Sequence, residues 1–180
     1  NDPSTGDIEI STNTVIAGSM TATNFDEVFL ASNTLTAAGT TLDVSFNGTG
    51  YQFLKFYLII TGVAGTNIAR VAFNGDVGAN YYSYPTDALG AGSAIGPVAY
   101  IQLQEAVVAT PGFFKFWASN YYSAVKHVLW EGTRGTTAPT LHHGGGLWNN
   151  ATSWITRITI SNSVPNNYSA GTTIRVFGSK

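Results

Sequence analysis

The sequence contains no cysteine and few charged residues. Without cysteine, disulfides, a thiolate nucleophile and a cysteine-ligated zinc site are all excluded. Charged residues make up 10% of the chain, well below the roughly 25% that is usual in soluble domains. The longest apolar run, Phe53 to Ile60, is interrupted by Lys55 and is far shorter than the ~18 residues that a membrane-spanning helix needs. We therefore expect no membrane insertion.

The few charges are unevenly distributed along the chain. Residues 1–54 carry six acidic side chains and no Lys or Arg, whereas residues 55–180 carry all eight basic side chains and four acids. Such a split is typical of an arm and a body that attract each other, within one chain or between chains. Drift in a sequence of low charge is the alternative explanation. The net charge of −2 gives no reason to expect nucleic acid as a partner.

Ser, Thr and Asn replace the missing charge, together with 20 Gly and a 13% share of aromatic residues. This composition is typical of β-strands joined by polar turns, and a 44% hydrophobic content is enough to bury a core. No segment repeats apolar residues at helical spacing between helix caps, so we expect little helix. Alternating apolar residues predict about eight strands, among them Tyr51–Thr61, Ile68–Phe73, Val98–Leu103, Phe113–Ala118, Val125–Glu131, Trp154–Ile160 and Thr173–Phe177.

These strands and the turn-rich segments between them predict an all-β fold, an antiparallel β-sandwich of jelly-roll type over residues 46–180. Residues 1–45 contain only short apolar pieces, which predict an N-terminal arm of short strands or extended chain. Residues 79–97 are rich in Gly and Tyr and are predicted to form a long loop. The chain begins Asn1-Asp2-Pro3 without Met or a signal-type apolar region, which indicates a processed product or an excised domain.

Two predicted strands place a Lys between aromatic side chains on one face and only apolar side chains on the other. The apolar faces, Leu54/Phe56/Leu58 and Phe114/Phe116, are expected in the core. The opposite face is too apolar for an ordinary solvated sheet, even though the stem of a Lys can lie along a ring. We interpret this aromatic–Lys face as a subunit contact or as a surface covered by the N-terminal arm; its residues are Phe53, Lys55, Tyr57, Phe113, Lys115 and Trp117.

No arrangement of residues predicts a catalytic centre or a cofactor. Glycoside hydrolysis needs two facing carboxylates, but Glu131 is the one acid after Glu105. The stretch His142-His143-Gly144-Gly145-Gly146 resembles the oxyanion loop of esterases, yet the Gly-x-Ser-x-Gly elbow of those enzymes is absent. Adjacent His side chains on an extended backbone point to opposite faces. We interpret the stretch as a polar loop followed by a glycine turn.

Asn74-Gly75 directly follows a predicted strand and is a strong hairpin-turn signal. The segment from Asn74 to Gly78 also offers the oxygen ligands that calcium prefers. It contains one acid, far fewer than the loops that bind calcium tightly. We therefore predict a tight turn and no metal site.

Aromatic side chains in predicted loops are the most promising functional feature of the sequence. Aromatic rings stack on the apolar face of a pyranose while amides bond its hydroxyls. The predicted loop and the segment after the triglycine turn combine these groups. They predict a glycan contact, unless the rings instead pin the loops to the body of the domain; the residues are Tyr81, Tyr82, Tyr84, Trp148, Asn149 and Asn150.

Three stretches resemble bacteriophage virion proteins. Arg70-Val71-Ala72-Phe73-Asn74-Gly75-Asp76-x-Gly78-x-Asn80-Tyr81 is similar to an Arg-Phe-Asn-Gly-Asp-x-Gly-x-Asn-Tyr stretch of these proteins. His143 to Asn150, running into Ile155-Thr156-x-Ile158-x-Ile160, is the second similar stretch. Ala170 to Gly178 resembles their Ala-Gly-Ser-x-Ile-x-Leu-Tyr-Gly close, with Thr172 in place of Ser and Phe177 in place of Tyr. The resemblance covers residues 51–178.

The resemblance implies a non-enzymatic β-sandwich on the surface of a phage particle, acting in host attachment or capsid decoration. Such proteins are commonly oligomeric and often built on threefold sites. Together with the sparse charge and the aromatic–Lys face, this predicts a homotrimer. The expected partners are other copies of the chain, other virion proteins and a host surface glycan. The alternative is a carbohydrate-binding module.

Overall fold

The computed structural model describes residues 27–65, 68–87, 92–103, 111–135, 140–163 and 167–180. All regular secondary structure in these ranges is β-strand, arranged as two antiparallel sheets that pack as a sandwich. The predicted all-β sandwich is therefore confirmed. Residues 1–26 of the predicted arm lie outside the described residues.

Twelve strands lie in the described ranges. The first six are β1 (Val28–Thr34), β2 (Thr41–Ser45), β3 (Phe53–Ile60), β4 (Ala69–Phe73), β5 (Tyr81–Asp87) and β6 (Ile95–Val98). The other six are β7 (Ile101–Gln102), β8 (Gly112–Ser119), β9 (Lys126–Arg134), β10 (Thr140–Trp148), β11 (Arg157–Asn162) and β12 (Thr173–Ser179). The large sheet has the order β1-β12-β3-β8-β9-β10-β5-β6, and the small sheet has the order β2-β11-β4-β7.

Eight of the strands pair in a nested pattern. β1 pairs with β12, β2 with β11, β3 with β8 and β4 with β7, and every pair is antiparallel. Successive pairs alternate between the large and the small sheet, so the chain crosses from one sheet to the other at each step from β1 to β4. The remaining strands, β5, β6, β9 and β10, are inserted into this pattern and widen the large sheet on one side.

Alternation along the central strands sends one set of side chains into the space between the sheets. Leu54, Phe56 and Leu58 of β3 are fully buried, as are Phe114 and Phe116 of β8. Pairing of the two strands places Phe56 opposite Phe116, and the rings stack with their centres 4.7 Å apart. Burial of each such side chain stabilises the fold by about 1.5–3 kcal/mol. The apolar faces predicted for these strands are therefore confirmed as core.

The first described strands belong to the sandwich itself. β1 pairs with β12 at the edge of the large sheet, and β2 pairs with β11 at the edge of the small sheet. Leu42 and Val44 of β2 are buried in the core. β1 and β2 fall within the predicted arm of residues 1–45, and both strands are therefore part of the sandwich.

Two segments predicted as loops are strands. The predicted loop at residues 79–97 contains β5 and β6, and the predicted glycine turn at His142–Gly146 is the middle of β10. β5 and β10 pair with each other continuously from Tyr81 to Asp87. The Gly and Pro residues in these segments are poor strand formers, so pairing with neighbouring strands decides their conformation.

Asn120 joins three segments of the chain. Its side chain is fully buried. The amide nitrogen donates hydrogen bonds to the carbonyl oxygens of Gly48 (2.8 Å) and Tyr51 (3.1 Å), and the amide oxygen accepts one from the backbone N–H of Ile155 (2.6 Å). Because buried backbone groups without a partner cost free energy, this one side chain stabilises the connections that lead into β3 and β11.

We predict that Asn120→Ala lowers the free energy of unfolding by at least about 3 kcal/mol, because it leaves one N–H and two carbonyl groups without their partner, at about 1–3 kcal/mol for each unsatisfied group. Urea unfolding measures this loss. Asn167→Ala is the control, since Asn167 is exposed and its loss should stay within about 0.5 kcal/mol. Equal stabilities of the two variants would contradict the role of Asn120.

Candidate functional site

The candidate site lies on the outward side of the large sheet, which we call the outer face. It consists of the side chains that alternate with the buried ones along β3, β5, β8, β9, β10 and β12, together with Phe29 of β1, whose ring contacts Phe177. Several of them are large and apolar, with 39% to 63% of each residue exposed: Phe29, Phe53, Ile59, Tyr82, Tyr84, Phe113, Leu129 and Leu141. An exposed apolar surface that spans so many strands is typical of an interaction site.

The structure brings together the six residues predicted to form the aromatic–Lys face. β3 and β8 are neighbours, and their register places Lys55 opposite Trp117 and Tyr57 opposite Lys115. The rings of Tyr57 and Phe113 stack with their centres 6.1 Å apart. The predicted grouping is therefore present as one continuous surface.

Both Lys residues of the aromatic–Lys face have a carboxylate partner within the chain. Lys55 pairs with Glu27, which directly precedes β1, and Lys115 pairs with Glu131 of β9 at 3.3 Å. The Lys115 amine also lies 4.4 Å from the centre of the Trp117 ring, within range of a cation–π contact. Glu27 belongs to the acidic first part of the sequence, as does Asp43, which pairs with Arg157 at 2.9 Å. Two contacts between the acidic and basic parts are therefore intramolecular.

Tyr81 and Trp148, predicted as glycan contacts, are fully buried. They lie opposite each other on β5 and β10, and their rings stack at 6.1 Å beside Phe73. The Tyr81 hydroxyl accepts a hydrogen bond from the Phe73 N–H (2.9 Å), and the Trp148 indole N–H donates one to Asp76 Oδ2 (2.7 Å). The prediction is wrong for these two residues, because their rings and their polar tips are both satisfied inside the protein.

The other predicted glycan contacts lie in two places. Tyr82 and Tyr84 alternate with the buried side chains of β5, and 41% and 49% of these residues are exposed on the outer face. Asn149 and Asn150 follow β10, where Asn150 Oδ1 accepts a hydrogen bond from the Thr152 N–H at 3.0 Å. The six residues therefore do not form one surface, and Tyr82 and Tyr84 are the members that the outer face presents.

His142 and His143 point to opposite faces of β10, as predicted for extended chain. His142 is buried, with its ring 6.3 Å from the ring of Phe114. His143 is on the outer face, where the strand register places it between Thr86 of β5 and Glu131 of β9. Among the described residues, no three or more His, Asp or Glu side chains are grouped as a metal site would require.

A groove of about 470 Å3 lies on the outer face where β10 consists of glycine. Gly144 and Gly145 form part of its lining. The side chains around it come from β5, β8, β9 and β10 and include Tyr84, Thr86, Trp117, Leu129, Glu131 and His143. The sequence did not predict this groove, because three consecutive glycines are typical of a turn. No local signal marks it, since the glycines become part of a strand only by pairing with β5 and β9.

Comparisons with known protein families, with curated proteins and with solved structures found no significant match. In the part of the chain that the structure describes, no helix has the length and apolar character needed to cross a membrane. The assignment of function therefore depends on the residues and the geometry of the outer face.

Asp76 accepts the hydrogen bond that holds the buried Trp148. Burial raises the pKa of Asp76, but hydrogen bonds from Trp148, from the Gly78 N–H (2.8 Å) and from the Asn80 amide (3.0 Å) together outweigh burial and hold the pKa below its ordinary value. A carboxylate with a lowered pKa in the folded state stabilises the fold above its unfolded-state pKa. That contribution is lost as the pH falls through the folded-state pKa.

We therefore predict that Asp76→Asn lowers the free energy of unfolding at pH 7, and that its difference from the wild type shrinks as the pH falls below about 4. Urea unfolding at a series of pH values from 7 to about 2 measures the difference. Val77→Ala is the control, because Val77 lies in the same turn and is 82% exposed. A difference for Asp76→Asn that does not change with pH would contradict the stabilising role of the ionised carboxylate.

Proposed function

We propose that this chain is a non-enzymatic structural protein on the surface of a bacteriophage particle, where it acts in capsid decoration or host attachment as a homotrimer. The observation that carries the proposal is the apolar outer face, of which the aromatic–Lys face is the centre. The resemblance of residues 51–178 to virion proteins suggests the phage particle as the setting.

The strand order supports this proposal. The eight nested strands form four antiparallel pairs that alternate between the two sheets. We infer a jelly-roll topology from this nesting, and eight-stranded jelly rolls are common in viral capsid and lectin domains. The four inserted strands then enlarge one sheet, and with it the surface available for contact.

The aromatic–Lys face supports self-association. Phe177 of β12 extends it toward the sheet edge, with its ring 5.6 Å from both Tyr57 and Phe29. Apolar area buried between copies stabilises an oligomer by about 25 cal/mol per Å2 before association costs. Because Lys55 and Lys115 already pair with carboxylates of their own chain, the face can be buried without leaving an unpaired cation.

The carboxylates support a non-enzymatic role. A general acid of the glycosidase type needs a raised pKa, whereas hydrogen bonds lower the pKa of Asp76. Three other carboxylates in the described ranges form ion pairs, which are Glu27–Lys55, Asp43–Arg157 and Glu131–Lys115. These side chains therefore serve structural contacts.

We predict a mass of about three times the 19.0 kDa of one chain in light scattering at micromolar concentration. Phe113→Asp should dissociate the trimer, because it places a charge at the centre of a buried apolar contact. Phe113 is 42% exposed in the single chain, so the substitution should leave the fold intact by circular dichroism. Val77→Asp adds the same charge at an exposed apolar residue in a turn and should leave the mass unchanged.

A wild-type mass of 19.0 kDa would contradict the proposed trimer.

The proposed location on a phage particle has its own test. Affinity purification of the tagged chain from its native source should recover other particle components. Recovery of the chain alone would count against the virion role.

A further inference from the structure

Two of the three consecutive glycines of β10 are explained by packing. A Cβ on Gly144 would lie 2.5 Å from the carbonyl oxygen of Tyr84 and would overlap the indole of Trp130, and a Cβ on Gly146 would lie 2.6 Å from the carbonyl oxygen of Tyr82. Both positions face inward, where the buried Trp130 and the backbone of β5 leave no room. Glycine is therefore required at both positions by the fold.

Gly145 is not explained by packing. It faces outward, and the nearest atom to a Cβ at this position would be Leu129 Cδ2 at 3.6 Å, an ordinary van der Waals distance. Its backbone is not in the left-handed region either. Glycine inside a strand costs stability, and it often marks a place where a ligand approaches the backbone closely.

The strand register makes Gly145 the floor of an open slot. It lies between Tyr84 of β5 and Leu129 of β9. Because neighbouring strands lie about 4.8 Å apart, β5 and β9 flank a gap of about 10 Å over Gly145, and among the described residues the side chain that comes nearest to its middle is Leu129. The groove of about 470 Å3 described above occupies this gap. A second hollow of about 240 Å3 shares Tyr84 and Gly145 with it and extends toward β6.

One side of the slot is polar. Two residues along the strands from Gly145, the register aligns Thr86, His143, Glu131 and Lys115 across β5, β10, β9 and β8. This row offers an imidazole, a carboxylate and the oxygen of the Thr86 hydroxyl, whose hydrogen is donated to the His143 carbonyl at 2.9 Å, beside an aromatic wall. Because Glu131 pairs with Lys115, the row carries no excess of either charge toward a ligand.

We propose that this slot binds a neutral glycan, with one pyranose unit over Gly145 against the ring of Tyr84 and a neighbouring unit in the hollow beside β6. A pyranose has an apolar face that stacks on an aromatic ring and a rim of hydroxyls that bond mixed donors and acceptors. The slot places the aromatic ring of Tyr84 beside the polar side chains of His143 and Glu131, which match these two parts of a sugar. Its opening past Tyr84 fits an internal stretch of a polysaccharide rather than a single free sugar.

Glycan binding in this slot would be a function separate from the structural role, and it does not depend on formation of the trimer. The aromatic–Lys face belongs to β3 and β8, whereas the slot belongs to β5, β9 and β10, with Lys115 and Trp117 of β8 at the border between them. The second hollow extends away from the aromatic–Lys face, toward the β5–β6 edge. One surface can therefore contact other copies while the other contacts sugar.

An array of neutral hexopyranose oligosaccharides, with uronic-acid oligosaccharides as the charged comparison, tests the proposal with the full chain. The wild type should bind neutral oligosaccharides. Gly145→Val should abolish binding by filling the slot, while its melting temperature stays at or above that of the wild type, because a β-branched residue suits a strand. Tyr84→Ala should weaken binding about tenfold, as expected for the loss of one ring contact.

Thr133→Val and Tyr122→Ala are the matched controls, because both residues are exposed and neither lines the groove; both variants should bind as the wild type does. Absence of neutral binding, binding confined to uronic acids, or full binding by Gly145→Val would each overturn the proposal. Light scattering on Gly145→Val shows whether the substitution also changes the oligomeric state. Loss of both binding and the wild-type mass would make the slot a contact between copies and would overturn the glycan site, whereas loss of binding at an unchanged mass is the result expected for a glycan site.

Discussion

The stacked rings of Tyr81 and Trp148 hold the widened part of the large sheet against the small sheet. They extend from β5 and β10 to Phe73 of β4, and hydrogen bonds fix the polar tip of each ring. Because side chains alternate along a strand, burial of Tyr81 places Tyr82 and Tyr84 on the opposite side. The exposed aromatic surface of the inserted strands is therefore a consequence of this inner contact.

The glycines of β10 link the interior to the outer face in the same way. Gly144 and Gly146 leave the space that the backbone of β5 needs and that the indole of Trp130 occupies. The residue between them, Gly145, then points outward by alternation and leaves an opening in the outer face. The same three glycines of β10 therefore allow the inner packing of Trp130 and leave the opening on the outer face.

The outer side of the large sheet is unusually apolar. Antiparallel sheets commonly bury one face and solvate the other, but the outer side of β3 and β8 is built from aromatic rings and from Lys residues paired within the chain. Exposure to water stabilises such a surface little, because its Lys residues are already paired with carboxylates and its rings are apolar. The trimer and the glycan slot that we propose use different parts of this one surface.

The amino-acid sequence alone determined the all-β class, the strands around Phe56 and Phe116 and their two contrasting faces, because alternation is a local property of each strand. The tertiary structure alone decided that β1, β2, β5 and β10 belong to the sheets, and that Tyr81 is buried while Tyr82 is exposed. Their segments mix apolar residues with Ser, Thr or Gly, so their own pattern favours neither face clearly. A shift of one residue in register exchanges the two faces of a strand, and only pairing and packing with distant segments selects between them.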